Sequence, residues 1–249
     1  EANARESLKT RMETAEKKQT LLEELQKRLR LNRIPKTIEA FDISNISGKL
    51  AVGAMVVFED GKPNKDKYRL YKINTLYEPD DYGMMNEVLS RRYKKTADAA
   101  NLPALILVDG GKGQLNIARN VMNELGINDV DIAAIAKERN EGDSEKVYLP
   151  NTKEPVMLRQ GSAPDLFVRK IRDEVHRFAI TYHKKLREKI KSLLDEIPGI
   201  GKAKRNILLK HFGSLENIRQ ATVEEIAKTP GIHLGLAETI KSALQQNNG

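Results

Sequence analysis

The chain has 249 residues, a net charge of +8 and 31% charged residues, an ordinary globular composition long enough for one or two domains with cores of their own. It contains no cysteine and only four histidines. Disulfides, thiol catalysis and cysteine-ligated zinc or iron–sulfur centres are therefore excluded, and a metal site must lean on Asp and Glu oxygens, which suit Mg²⁺ or Mn²⁺.

In chain order, residues 1 to about 33 read as one helix. Leu8, Met12, Leu21, Leu22, Leu25 and Leu29 recur at helical spacing, and Pro35 closes the segment because the residue before a proline avoids the helical state. Three strands follow, Thr37 to Ser44, Leu50 to Phe58 and Lys67 to Ile73, joined by turn-like links and expected to form an antiparallel meander. Asp80-Asp81-Tyr82 opens a helix to about Tyr93, with acids suited to a helix N-terminus. Leu105 to Val108 is a continuous apolar run, the pattern of a buried parallel strand. It ends in Asp109-Gly110-Gly111-Lys112-Gly113 and leads to a helix from Gln114 to Leu125. Another strand is expected at Asp131–Ala136, then a charged loop, edge strands near Val147–Leu149 and Val156–Leu158, and a long helix from about Pro164 to Lys191. This order predicts an α/β fold, a mixed sheet with flanking helices.

From Ser192 the pattern becomes all-helical, with a weak repeat: Pro198-Gly199-Ile200-Gly201 and Pro230-Gly231-Ile232-His233. The expected organisation is an N-terminal amphipathic helix (1–34), an α/β domain (35–191) and a small all-α domain (192–249). No run of about 18 apolar residues occurs, so no membrane partner is expected, and Glu1–Arg5 lacks a signal peptide's apolar core. The positive charge suits either a polyanionic partner or plain solubility.

The chemistry concentrates at three positions. Asp42 lies in the first strand, with Phe41 and Ile43 alternating to the opposite face. Asp109 ends the buried strand, where open α/β sheets place their ligands. If those two strands are neighbours, the carboxylates meet at one sheet edge. The last long helix, with apolar stripe Ile171, Val175, Phe178, Tyr182 and Leu186, can add His176, with Arg172 one turn before it. Two carboxylates and an imidazole suit a divalent ion that activates water against a phosphodiester. His183 is followed by Lys184-Lys185 and is expected to turn toward solvent. The glycines around Lys112 are expected to open backbone N–H groups to a phosphate, while the spacing excludes a Walker or Rossmann loop. In the tail, Gly199, Gly201, Lys202 and Lys204 are expected to bind a DNA phosphate, with Gly231 in a second hairpin that departs at His233. Seven basic residues face six acidic ones from Ser192 onward, so most excess charge lies upstream. There Arg91-Arg92, Lys94-Lys95, Arg169, Arg172, Lys184-Lys185 and Arg187 are candidates for a phosphate track. On residues alone, the constellation also fits a nuclease acting on another nucleic acid, or a docking module whose carboxylates serve only the fold.

Phe41-Asp42-Ile43-Ser44-Asn45, Asp80-Asp81-Tyr82, Val108-Asp109-Gly110-Gly111-Lys112-Gly113-Gln114 and Ile171-Arg172-Asp173-Glu174-Val175-His176-Arg177-Phe178 resemble the C-terminal half of the UvrC family, incision subunits of bacterial nucleotide excision repair. The resemblance runs from about residue 20 to 245. It implies a ribonuclease H-like endonuclease domain followed by a tandem helix-hairpin-helix domain, and a cut on the 5′ side of damaged double-stranded DNA with Mg²⁺ or Mn²⁺. It maps the family's catalytic and metal triad onto Asp42, Asp109 and His176, and an additional acid onto Asp81. No counterpart of the family's GIY-YIG nuclease domain is read in these residues. The segment that binds the UvrB–DNA complex is expected upstream of residue 1 or truncated there, and the implied location is cytoplasmic.

Overall fold

A computed structural model describes residues 2–46, 50–73, 81–94, 102–136, 145–213 and 215–246. The chain divides into two compact units, Glu1–Ser44 with Ala51–Ala179, and Asn45–Leu50 with Ile180–Gly249. No helix among the described residues is long and apolar enough to cross a membrane.

The first unit opens with α1 (Ala2–Leu29), followed by β1 (Thr37–Ile46), β2 (Leu50–Glu59), the two-residue β3 (Lys62–Pro63) and β4 (Arg69–Lys72). Then come α2 (Asp81–Tyr93), β5 (Leu105–Asp109), α3 (Lys112–Glu124), β6 (Asp131–Ala136), β7 (Lys146–Tyr148), β8 (Val156–Met157) and the long α4 (Ala163–Asp195), whose residues from Ile180 onward belong to the second unit. Among the described residues the strands form one sheet in the order β3-β2-β1-β5-β6-β7-β8, with β4 also pairing with β2. The meander is antiparallel where β2 meets β3 and β4. β1, β5 and β6 run parallel, and β7 and β8 return antiparallel. The helix expected to run to about residue 33 stops at Leu29. Arg30 turns to φ +52° and the Leu31 N–H reaches back to the Gln26 carbonyl at 3.0 Å, a left-handed cap that ends α1 before the proline does.

Period-two alternation sorts the central strands onto two cores. On one face Ile38, Ala40, Leu105, Leu107, Ala133 and Ile135 pack under Leu22, Leu25 and Leu29 of α1 and Phe167, Val168, Ile171 and Val175 of α4. The side chains of Leu8 and Met12 lie outside the described residues. On the other face Phe41, Met55, Val57, Ile106, Val108 and Ala134 pack against Met85, Val88 and Leu89 of α2 and Leu115, Ala118 and Val121 of α3. Both faces are covered, which is why the central strands read as unbroken apolar runs. Gly53 of β2 lets α2 approach closely: a Cβ there would lie 2.4 Å from a Val88 methyl.

Buried Glu39 ties β1 to α2. Its carboxylate accepts from Arg92 Nη2 at 2.6 Å and Nε at 3.0 Å, and from the Tyr93 hydroxyl at 2.7 Å. Burial, then the Glu39 charge, pushes that hydroxyl well above its ordinary pKa. Arg91 donates to the Lys72 carbonyl at 2.6 Å. The Arg91-Arg92 pair, a candidate for the phosphate track, thus fastens α2 to the sheet.

In the second unit, α5 (Lys202–Phe212), α6 (Leu215–Gln220), α7 (Val223–Ala227) and α8 (Leu234–Gln246) surround Leu194, Ile197, Ile200, Leu208, Ile218, Ile226, Ile232, Ile240 and Leu244. Thr222 and Glu225 cap α7 reciprocally, with the Glu225 N–H donating to Thr222 Oγ1 at 3.2 Å and the Thr222 N–H to Glu225 Oε2 at 2.7 Å. Buried Arg205 of α5 holds Asp195 at the end of α4.

Candidate active site

The parallel register pairs Phe41 of β1 with Val108 of β5. One step further along both strands come Asp42 and Asp109, and alternation turns both toward the α4 face. α4 supplies His176 from above. One donor atom from each of Asp42, Asp109 and His176 lies within 4.8 Å of the others, and His176 Nδ1 lies 3.4 Å from Asp42 Oδ2. Asp42 is 7% exposed, whereas the His176 side chain is 59% exposed. The cluster thus has a buried floor and an open mouth.

The electrostatics of this floor are those of crowded anions. Asp109 is raised from 3.8 to about 6, chiefly by burial and then by the negative charge of Asp42, with Arg172 and His176 opposing. Two carboxylates at hydrogen-bonding range of a site with an imidazole make a hard-donor set, and their mutual repulsion is what a divalent cation relieves. The residues present therefore fit a hard divalent cation.

The turn after Asp109 differs from the sequence expectation. Gly110 has φ +144°, a conformation side chains avoid, and a Cβ on it would strike the Gln114 side chain at 2.6 Å. The Gly110 N–H donates to the Ile135 carbonyl at 2.9 Å, and the Gly111 N–H donates to Gln114 Oε1 at 3.1 Å. These amides close the turn and cap α3, so they are engaged rather than open to a phosphate. Lys112 Nζ donates to the Lys153 carbonyl and lies 5.8 Å from the centre of the Tyr148 ring. Gly113 makes room for Tyr82, whose ring would stand 2.4 Å from a Cβ at that position. Asp81 is the first residue of α2; its side chain lies outside the described residues.

Arg172 is bound on the rim. Its Nη1 pairs with Glu145 Oε1 and its Nη2 donates to Asp173 Oδ1 at 3.0 Å. Sequence reasoning missed Glu145. It closes a charged loop, where nothing in composition separates one acid from the other charges beside it; the only trace is its alternation with apolar Val147. His183 also departs from expectation. It is 6% exposed with its ring 6.3 Å from that of Tyr182, on the buried side of α4, while Lys184 and Lys185 lie on its exposed side.

In the second unit the two hairpins differ. In the first, Gly199 takes φ +86°, and Gly201 is the N-cap of α5 with no side-chain cap bond. Lys204 Nζ donates to the Gly199 carbonyl at 3.1 Å, and Lys202 is exposed beside it. In the second, Gly231 takes φ +81°, but the His233 ring Nδ1 accepts the Leu236 N–H at 3.2 Å. The same N–H also donates to the His233 carbonyl at 3.0 Å, so the imidazole stands over an amide at the start of α8, where a helix N-terminus would meet an anion.

Residues 26–180 match the family model described as the UvrC RNAse H endonuclease domain, and residues 191–246 match one described as a SAM-like helix-hairpin-helix tandem. The chain is 49% identical over 257 residues to the UvrABC system protein C of Geobacter metallireducens, covering 99% of this chain and 42% of that protein. It is 49% identical over 235 residues to the protein of the same name from Methanosphaera stadtmanae, covering 90% of this chain and 38% of that protein. The chain thus spans about two fifths of the length of these curated relatives. Among solved structures, it is similar to endonuclease V of Bacillus subtilis at 15% identity and a TM-score of 0.38, over 64% of this chain and 90% of that one. That overlap is too loose to bear on the chemistry.

Proposed function

The chain belongs to the UvrC family, and from that premise we propose that it is a divalent-metal-dependent endonuclease making the 5′ incision in damaged double-stranded DNA during nucleotide excision repair. The observation that carries this reading is the convergence of Asp42, Asp109 and His176 within 4.8 Å at the carboxyl edge of the parallel strands. These three would hold Mg²⁺ or Mn²⁺. When bound, such an ion supplies activation of a water and stabilisation of the leaving oxygen of a phosphodiester.

The chain's own residues do the rest. Asp42, buried and fixed by strand pairing, sets the floor of the site, and its contact with His176 orients the imidazole. Asp109, raised to about 6 by burial and by the facing Asp42 charge, keeps its proton further toward neutrality than an ordinary carboxylate, and its ionised form would be favoured by a divalent cation at the site. Arg172 meets a DNA phosphate at the rim, and Asp81 supports the site from the start of α2. Lys112 contacts the backbone nearby through the exposed part of its side chain. Gly199, Gly201, Lys202 and Lys204 dock the first hairpin on the phosphate backbone without reading bases, and Gly231 shapes the second hairpin. The enzyme acts in the cytoplasm, on DNA presented in a complex with UvrB.

The test is metal-dependent nicking of a lesion-containing duplex. Wild-type protein is expected to nick with Mg²⁺ or Mn²⁺ and not with EDTA, and Asp42→Ala to be inactive while folded and able to bind DNA. Wild-type-level nicking by Asp42→Ala would refute the assignment.

A further inference from the structure

We propose that Glu145 is a positioning residue of the nuclease centre, holding the Arg172 guanidinium at the rim of the Asp42–Asp109–His176 cluster so that it meets a phosphate of the bound strand. This deepens the endonuclease reading and rests on it.

Three observations carry the inference. The first is placement. Asp109 pairs with Ile135 across β5 and β6, and Ile135 pairs with Val147 across β6 and β7. Val147 packs in the core under α4. Because β7 runs back against β6, Glu145 lies two residues beyond that row, toward the edge that carries Asp109 and on the same face. Arg172 is one helical turn before His176. Both groups reach the cluster electrostatically: the Arg172 charge holds Asp109 down, and the Glu145 charge pushes it up.

The second observation is how the acid is held. Glu145 is 4% exposed. Its Oε1 pairs with Arg172 Nη1, and Arg169 Nε stands 3.7 Å away. Arg169 in turn donates to Asp165 Oδ1 at 3.2 Å. Asp165, fully buried, receives the Gly161 N–H at 2.9 Å and the Glu145 N–H at 3.5 Å. Glu145 is thus locked through both its backbone and its side chain, and Arg172 inherits that rigidity. The Arg172 side chain remains 18% exposed, and with one Nη on Glu145 and the other on Asp173 the planar fork still carries further N–H donors.

The third is an imbalance. Glu145 Oε2 is buried and has no hydrogen-bond partner among the described residues. A buried acid with a half-satisfied carboxylate is a poor device for stability, since apolar residues of similar volume serve as well or better. Its position beside the cluster accounts for its presence: it fixes a cation where phosphate charge must be met, with little reorganisation at the moment of cleavage.

The experiment compares Glu145→Ala, Glu145→Gln, Arg172→Ala and the double variant Glu145→Ala/Arg172→Ala on one lesion-containing duplex. Single-turnover nicking is measured at saturating Mg²⁺. Glu145→Ala and Arg172→Ala are each expected to slow cleavage roughly 10- to 100-fold with KM little changed, and the double variant to be no slower than Arg172→Ala. Glu145→Gln, which keeps an oxygen for Arg172, is expected to restore most of the rate. In parallel, duplex binding is followed against salt with Ca²⁺ replacing Mg²⁺. Glu145→Ala and Arg172→Ala are each expected to lower the salt slope by about one, and Glu145→Gln to leave it in place. The proposal is overturned by an additive double variant, by wild-type nicking and salt slope in Glu145→Ala, or by Glu145→Gln as impaired as Glu145→Ala. If the wild type does not nick at all, the endonuclease reading fails, while the salt slopes still decide whether Glu145 holds Arg172 against phosphate.

Discussion

Replacing Asp109 by Asn isolates the electrostatic cost of the site. The folded chain holds the Asp109 proton to about pH 6, against an ordinary value of 3.8. A group raised in this way is bound more tightly by the folded state than by the unfolded one. Its ionisation therefore destabilises the fold progressively between about pH 4 and pH 6, and the penalty stays constant above that window. The rise corresponds to about 3 kcal/mol at neutral pH, a ceiling set by burial and the facing Asp42 charge. Asp109→Asn removes the ionisation and keeps the shape. In urea unfolding with EDTA, read at the transition of the first unit, the variant is expected to exceed wild type by up to about 3 kcal/mol at pH 7, and to match it near pH 3.5. Saturating Mn²⁺ is expected to reverse the order, because only the intact cluster gains binding free energy from the ion. An Asp109→Asn protein no more stable than wild type at pH 7 in EDTA, or a gap that ignores pH, would refute this account.

Three more outcomes are expected. His176→Ala loses nicking with little change in stability, whereas His183→Ala keeps nicking and lowers the stability of the second unit by about 1 to 3 kcal/mol; the reverse pattern in paired nicking and denaturation assays would overturn the ligand assignment. Gly53→Ala places a methyl 2.4 Å from a Val88 Cγ between buried, stiff partners and is expected to cost about 1 to 3 kcal/mol, so an unchanged urea midpoint would mean that β2 and α2 are less closely packed. His233→Gly removes the imidazole from the Leu236 N–H, which keeps its bond to the residue 233 carbonyl, and gives the second hairpin the Gly-Ile-Gly form of the first; duplex affinity at low salt is expected to rise several-fold, and no gain would show that the imidazole does not limit that hairpin.

What the residue pattern conveys is local. Asp109 is legible because an unbroken apolar run stops at it, and Asp42 because Phe41 and Ile43 alternate around it. His176 rests on one helix and a motif, and its meeting with Asp42 depends on a fold that brings residues 134 positions apart together. The misread positions share a cause: each depends on a partner far away in sequence or on a particular rotamer. Gly111 looked like an open amide because nothing in the sequence says that the Gln114 side chain folds back onto it. Arg92 looked like a phosphate ligand because Glu39, 53 residues away, is not an evident partner. His183 reads as solvent-facing because two lysines follow it, yet the helical turn puts those lysines on the exposed side and the imidazole on the buried one.

The tie between Glu39 and α2 bears on how the metal-binding carboxylates come to face each other. Slide β1 by one residue against β5 and every side chain changes face: Asp42 would turn toward α2 and α3, leaving Asp109 alone at the edge. The same slide would swing Glu39 away from Arg92 and Tyr93 and into the apolar layer of Leu22, Leu25 and Ile171, an unpaired buried charge costing several kcal/mol. The misaligned fold is thus penalised by a residue that takes no part in cleavage. Glu39 works as a parity check on β1, rejecting the one-residue frame error that would erase the site while leaving the strand's backbone pairing possible.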